Sequence, residues 1–279
     1  MFLTRPQFRR QTRQGVGNSG SFYLREDGKT ETSVSGGYID VIPVDRDKLI
    51  NLGVSQQACR RFASSQNTVQ LNIIEFFHAL ADFPIAFVRQ QDDTYTPCAV
   101  LGLNIAENLF ADEQGNWLDG SYCPAYIRRY PFVTQSVTVA ELSSDDEDLR
   151  KPVYVDKAAL DDKSPALFVA NGKATAEWAS AESFVSDYIS AEKQTLSFTQ
   201  KLVDLKLLQP FDAQVHPDDG DMVRLKGLYR INENLLNKLP AKVVKDLMQS
   251  GEMSRIYAHL ISLENFAKLL DRKTANKNI

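Results

Sequence analysis

The chain has 279 residues, room for one large domain or two modest ones at roughly 150 residues each. With 43% apolar and 24% charged residues it is an ordinary globular composition able to bury a core, which excludes disordered, fibrous and disulfide-stapled classes. The net charge of −4 gives no global attraction to nucleic acid or to an anionic membrane, so nucleic acid is not an expected partner.

Residues 1–37 carry Arg5, Arg9, Arg10, Arg13 and Arg25 together with Gly15, Gly17, Gly20, Gly28, Gly36 and Gly37, and show neither strand nor helix periodicity. They read as a basic, glycine-rich, flexible tail, because such a segment buries too little surface to offset its ordering entropy. They also lack the apolar run of roughly 7 to 15 residues that a secretory leader needs. The expectation is a cytoplasmic protein, or one exported by a non-Sec route. No segment reaches the roughly 20 apolar residues of a membrane span, so no transmembrane segment is predicted. Cys59, Cys98 and Cys123 match neither a disulfide framework nor a CxxC metal knuckle, which predicts reduced thiols.

Regular structure begins at Tyr38, and residues 38–279 read as the folded domain, with any sub-boundary near 142–165. Tyr38–Val44 suits an edge strand ended by Pro43. Ile73, Phe76, Phe77 and Leu80 form one helical stripe, with Asn72 and Glu75 off it and Pro84 as the stop. Residues 85–88 and 99–103 read as a hairpin turning at 90–93. Residues 124–130 end at a boundary set by Pro131. The acidic stretch 141–148 reads as a solvated loop.

Further on, Asn171-Gly172 after an apolar run predicts a type I′ hairpin. A long helix is expected over 181–208, closed by Pro210, and a second hairpin over 215–229. Short helices follow, with Asn232 as a cap, Pro240 in a first turn, Gly251 as a stop, and Ser262 capping a last helix striped by Leu263, Phe266, Ala267 and Leu270. The fold class is α+β: a mixed or antiparallel sheet core, with strands between 85 and 141, and a helical C-terminal half covering or flanking it.

Residue chemistry points to no catalytic constellation. His78, His216 and His259 lie far apart without an HxH or HExxH pattern, and His78 and His259 read as structural. No serine stands in GxSxG, and no cysteine has a histidine in a local motif. Gly15-Val16-Gly17-Asn18-Ser19-Gly20 spells GxGxxG but has no strand before it and no helix after it, and Asp112–Trp117 lacks the glycine and glutamate of a calcium loop. No cofactor, no metal and no catalytic residue is therefore assigned. The densest group of unusual residues is Trp117 with Tyr122 to Phe132. Its arginines could clamp a carboxylate, phosphate or peptide, because guanidinium is a bidentate donor that stacks on aromatic faces; alternatively the tyrosines are core and the arginines pair internally. The candidate binding residues are Trp117, Tyr126, Arg128, Arg129 and Tyr130. Adjacent arginines on a helix point about 100° apart, so one of the two is expected to be structural and the other available.

Several blocks occur in a specific order: Phe83-Pro84-Ile85-Ala86-Phe87-Val88, Leu101-Gly102-Leu103 with Glu107-Asn108-Leu109-Phe110, Gly115-Asn116-Trp117, Tyr122 through Phe132, Gly227-Leu228-Tyr229-Arg230-Ile231 and Tyr257-Ala258-His259-Leu260. Together they resemble the bacterial SapC family from about Ile42 to Leu270, with Cys123 in place of an aliphatic residue. The resemblance implies an association with a bacterial surface-layer system and with genes for outer-membrane receptors and flavin-dependent tryptophan halogenases. It carries no catalytic residues over. Two functions follow as expectations. One is a non-enzymatic binding or accessory protein with a protein or peptide partner from a surface-layer or envelope system. The alternative is a modifying enzyme or enzyme subunit acting beside a halogenase or oxygenase, which needs a deep pocket holding a perturbed His or Glu.

Overall fold

The computed structural model describes residues 22–24, 30–32, 37–142, 151–215 and 223–277. The literal GxGxxG stretch, His216, residues 143–148 of the acidic run and the 217–220 turn lie outside them. Within the glycine-rich N-terminal segment, β1 (Phe22–Leu24) and β2 (Thr30–Thr32) pair antiparallel.

Two antiparallel sheets organise the fold. The smaller has the order β3-β9-β8, from β3 (Val41–Pro43), β9 (Tyr154–Asp156) and β8 (Phe132–Val133), and β3 is an edge as Pro43 suggests. The larger has the order β11-β12-β6-β7-β5. It joins β5 (Thr68–Gln70) and the hairpin β6 (Ile85–Arg89) and β7 (Tyr95–Val100) to a second hairpin, β11 (Leu208–Val215) and β12 (Val223–Ile231). The sheet core is thus drawn from both halves of the chain, rather than from 85–141 alone. Ile85 to Val88 are all buried, which explains why that run is apolar on both faces instead of alternating. A short ladder, β4 (Gly53–Val54) with β10 (Leu160–Asp161), lies beside α1 (Gln56–Ser64).

The helices differ from their sequence patterns in instructive ways. The 72–80 stripe is one 3₁₀ turn, Ile73–Glu75, running into the four-residue α2 (Phe76–Ala79). Glu75 and Asn72, off the apolar stripe, are buried, whereas Phe77 is 49% exposed. Ile73 and Phe76 of the stripe are buried in the main core, so this short element is held by its apolar face and its capping bonds together. The long helix is α5 (Ala176–Asp204), capped by the Thr175 side chain accepting from Trp178 N–H. It stops before Pro210, because Lys206 at φ 56° turns the chain while Leu207 N–H bonds back to Leu202 O. Pro210 sits instead in the edge strand β11, where a missing N–H is tolerated. At the Asn171-Gly172 hairpin only Gly172 has positive φ, and Gly172 N–H bonds to Val169 O, so the turn is a type I turn with a glycine bulge and not type I′. Gly227, at φ 80°, similarly sits where the β11–β12 register shifts.

After α3 (Ala125–Arg129) and the single turn α4 (Val139–Leu142), the C-terminal helices are α6 (Glu233–Leu236), α7 (Ala241–Gln249), α8 (Glu252–Ser262) and α9 (Asn265–Lys277). Asn232 caps α6 by accepting from Leu235 N–H, and Gly251, at φ 73°, separates α7 from α8. Ser262 ends α8 instead of capping α9, and in the last helix the buried apolar positions are Phe266 and Leu269 while Ala267 is exposed. The fold class is α+β: antiparallel sheets, with α5 packed on β7, α8 on β6 and β12, and α9 on β11. One large apolar cluster surrounds the five-stranded sheet, and a smaller one gathers Leu49, Phe132, Phe168 and Trp178 near the start of α5.

His259 locks α8 to the sheet. Its Nε2 accepts from Ile231 N–H at 3.1 Å, so Nδ1 carries the proton and donates to Ile85 O at 2.9 Å. Ser262 Oγ accepts from Ile85 N–H and donates to His259 O. Burial lowers the imidazole pKa to about 4, because a charged ring would be cut off from water and its protonated Nε2 could no longer accept from Ile231 N–H, while the Nδ1–H bond to Ile85 O works in the opposite direction. A base depressed in the folded state contributes stability that is present above its ordinary value of 6.5 and lost as pH falls from there towards 4. Urea denaturation should show this loss, on the order of 3 kcal/mol, and the pH slope in that window should flatten in His259→Gln.

Candidate functional site

The segment that stands out in the sequence splits into an inside and an outside. Tyr126 and Tyr130 are buried against Phe62, whose ring stacks on Tyr130 with centroids 4.0 Å apart and an interplanar angle of 9°. Tyr130 also donates its hydroxyl to Asp156 Oδ2 at 3.1 Å. Trp117 packs on Phe83 and Phe110 and donates Nε1–H to Ser121 O, away from the others.

The two arginines have opposite surroundings. Arg129 is 2% exposed, with its guanidinium carbon 4.2 Å from the Tyr188 ring centre and 5.2 Å from that of Tyr126. Glu192 supplies the nearby negative charge, while among the described residues Arg129 Nε and Nη2 have no hydrogen-bond partner. Arg128 is exposed and lies in the wall of a cavity.

That cavity has a volume of about 290 Å³ and opens between the 72–78 segment, the 122–128 segment and α5. Its floor is held by Glu75, a buried carboxylate with three donors: Asn72 N–H at 2.8 Å, Ala125 N–H at 2.7 Å and Tyr122 O–H at 2.9 Å. The first bond belongs to a capping box on the 3₁₀ turn, and the second ties down the first residue of α3. Burial raises the Glu75 pKa against the lowering effect of these bonds. Burial, and then the Glu75 charge, also push the Tyr122 phenol well above its ordinary value, so it stays a donor.

On this base stands a stack of four planar groups. The His78 ring lies on Tyr122 with centroids 5.3 Å apart at 22°, and the Arg128 guanidinium carbon is 6.0 Å from the Tyr122 ring centre and 5.1 Å from that of Phe184. Arg128 Nε–H donates to Cys123 O and Nη2–H to Tyr122 Oη. Two of five N–H groups are thereby used, and the outward edge of the guanidinium remains for an anion. Among the described residues no carboxylate forms an ion pair with Arg128.

Of the five candidate residues, the cavity contains Arg128 alone. Its other lining residues, among them His78, Tyr122, Phe184 and Tyr188, come from segments up to 119 residues apart, Asn72 to Ala191. The one local signal was the Asn72-x-x-Glu75 spacing, which is that of a capping box. Burial raises Cys59 and Cys123 to about 11 and Cys98 to about 12, so none offers a thiolate near neutral pH. Among the described residues no group of three His, Cys, Asp or Glu side chains is placed to hold a metal, and no helix is long and apolar enough to cross a membrane.

A family model described as SapC matches residues 44–269. The chain belongs to the SapC family. Neither a curated protein nor a solved structure matches it. In this SapC-family chain the Tyr122–Phe132 block builds both the cavity wall and the aromatic core behind it. The Gly227–Ile231 and Tyr257–Leu260 blocks meet where His259 accepts from Ile231 N–H.

Arg128→Glu should move the melting temperature by only a few degrees, as for a surface change. Arg129→Ala strands Glu192 as a buried charge and should cost about 3–5 kcal/mol, read as a large drop in the same melt. Glu75→Ala removes the acceptor for three donors at roughly 1 kcal/mol each, and should also expose the 122–128 segment to limited proteolysis.

Proposed function

We propose that this SapC-family chain is a non-enzymatic binding protein whose partner is a polypeptide of a bacterial surface-layer or envelope system, held at the cavity beside Arg128. The observation that carries the reading is the stacked guanidinium. It is fixed in direction by two rings and two hydrogen bonds, and it keeps donors facing outward. Such preorganisation reduces the ordering cost of binding. The surrounding walls are largely apolar, which suits a side chain of a partner chain better than a highly charged metabolite. The surface-layer link rests on the family association. The three unpaired thiols suit a reducing compartment and so support work in the cytoplasm.

The enzyme-subunit reading has one observation in its favour, a buried glutamate with a raised pKa in a cavity wall. Glu75 nevertheless has both oxygens engaged by donors that also start two helical segments. A general base in that position would lose its structural bonds on protonation, so binding is the better-supported reading.

Immobilised surface-layer polypeptide and outer-membrane receptor from the bacterium encoding this chain should retain the wild type with a Kd of about 1 μM or tighter. Arg128→Glu should weaken that retention at least ~10-fold, equivalent to about 1.4 kcal/mol, with little change in melting temperature. Retention of neither polypeptide overturns the reading, and equal retention of wild type and variant moves the site away from the cavity.

A further inference from the structure

The cavity itself narrows what part of a polypeptide it can take. At about 290 Å³ it lies at the bottom of the ~300–1,000 Å³ range of small-molecule sites, so it accommodates one residue and not a nucleotide or a flavin. Its apolar surface comes from Ile74, Phe184, Ala191 and the ring of Tyr188. The cation at its rim, Arg128, presents the end of the guanidinium, the geometry that receives both oxygens of a carboxylate.

Negative charge in the same wall limits the anion. Glu75 and Asp187 both line the cavity with Arg128. With two acids against one arginine the charged groups of the wall sum to a negative value, so a phosphate, carrying about −1.5 to −2 at neutral pH, meets a larger net repulsion there than a carboxylate does. A single negative charge beside an apolar group is therefore the matching chemistry. A polypeptide offers that combination at its last residue, where the α-carboxylate and the side chain leave the same carbon. An internal acidic residue carries its charge at the tip of the side chain and has no apolar group to fill the walls.

Resting on the polypeptide-binding reading above, we infer that the cavity recognises the C-terminal residue of its partner: the α-carboxylate on Arg128 and an apolar last side chain among Ile74, Phe184 and Ala191. The His78–Tyr122–Arg128–Phe184 stack fixes the cation before the partner arrives, and the Glu75 bonds fix the stack. Asp187 stands at the same cavity and opposes any second negative charge.

The test uses the full chain and N-acetylated tripeptides ending in leucine or phenylalanine, each as the free acid and as the C-terminal amide. Binding is followed by ¹⁵N chemical shifts of residues 72–78, 122–128 and 184–191. The free acids should shift these resonances and saturate, and the amides should bind at least ~10-fold more weakly, a difference of about 1.4 kcal/mol. Arg128→Gln should remove that discrimination between acid and amide. Inorganic phosphate at equal concentration should not displace the peptides, and free leucine should bind no better than its N-acetylated peptide. Equal binding of acid and amide, displacement by phosphate, or preference for free leucine each overturns the chain-end inference. Equal binding that still depends on Arg128 leaves the polypeptide-binding reading standing. Capture of the tripeptides without retention of the envelope polypeptides leaves the site standing and removes the proposed partner.

Discussion

A single buried carboxylate organises the part of the molecule that faces a ligand. Glu75 takes one donor from its own turn, at Asn72, and two from a segment about fifty residues later, at Tyr122 and Ala125. A charge in that position is costly unless its lone pairs are filled. The 122–125 segment is therefore held where it fills them, and with it the start of α3 and the Tyr122 ring. The cavity wall is a consequence of satisfying Glu75, and an element as short as α2 is held by that together with the burial of Phe76 and Ala79.

The neighbouring arginines show how one backbone turn separates structure from surface. Arg129 points inward among Tyr126, Tyr188 and Glu192, and its unpartnered Nε and Nη2 make it an expensive residue whose charge is balanced mainly by one buried glutamate and by ring faces. Arg128 points outward, with the same kind of ring contacts but with its remaining side exposed. The inner residue fastens α3 to α5, and the outer one then stands at a fixed height above the cavity.

The same logic of satisfying buried polar groups fastens the C-terminal helices. His259 and Ser262 each meet main-chain groups of the sheet, so β6, β12 and α8 form one hydrogen-bonded unit. Asn265 adds two more bonds, donating to Leu80 O and Phe83 O at the end of α2. The helix bearing His78 and the sheet behind it are thereby held from below by α8 and α9 and from the side by α5, leaving the cavity rim as the open face.

Local pattern by itself determined the β6–β7 hairpin, the Asn232 cap, the break at Gly251, the edge character of Val41–Pro43 and the α+β class, because each depends on turn chemistry or periodicity within a few residues. It also determined that two adjacent arginines on a helical turn face different ways. Tertiary structure alone decided which arginine went inside, that Tyr126 and Tyr130 became core, and that His78, Tyr122 and Phe184 came together around Arg128. Those outcomes depend on contacts between residues 44 to 68 positions apart in the chain, for which no short-range pattern exists. The end of α5 before Pro210 and the burial of Glu75 were decided the same way: a left-handed residue at Lys206 and a carboxylate shared between two segments are cheap only once the neighbouring strand and helix are in place.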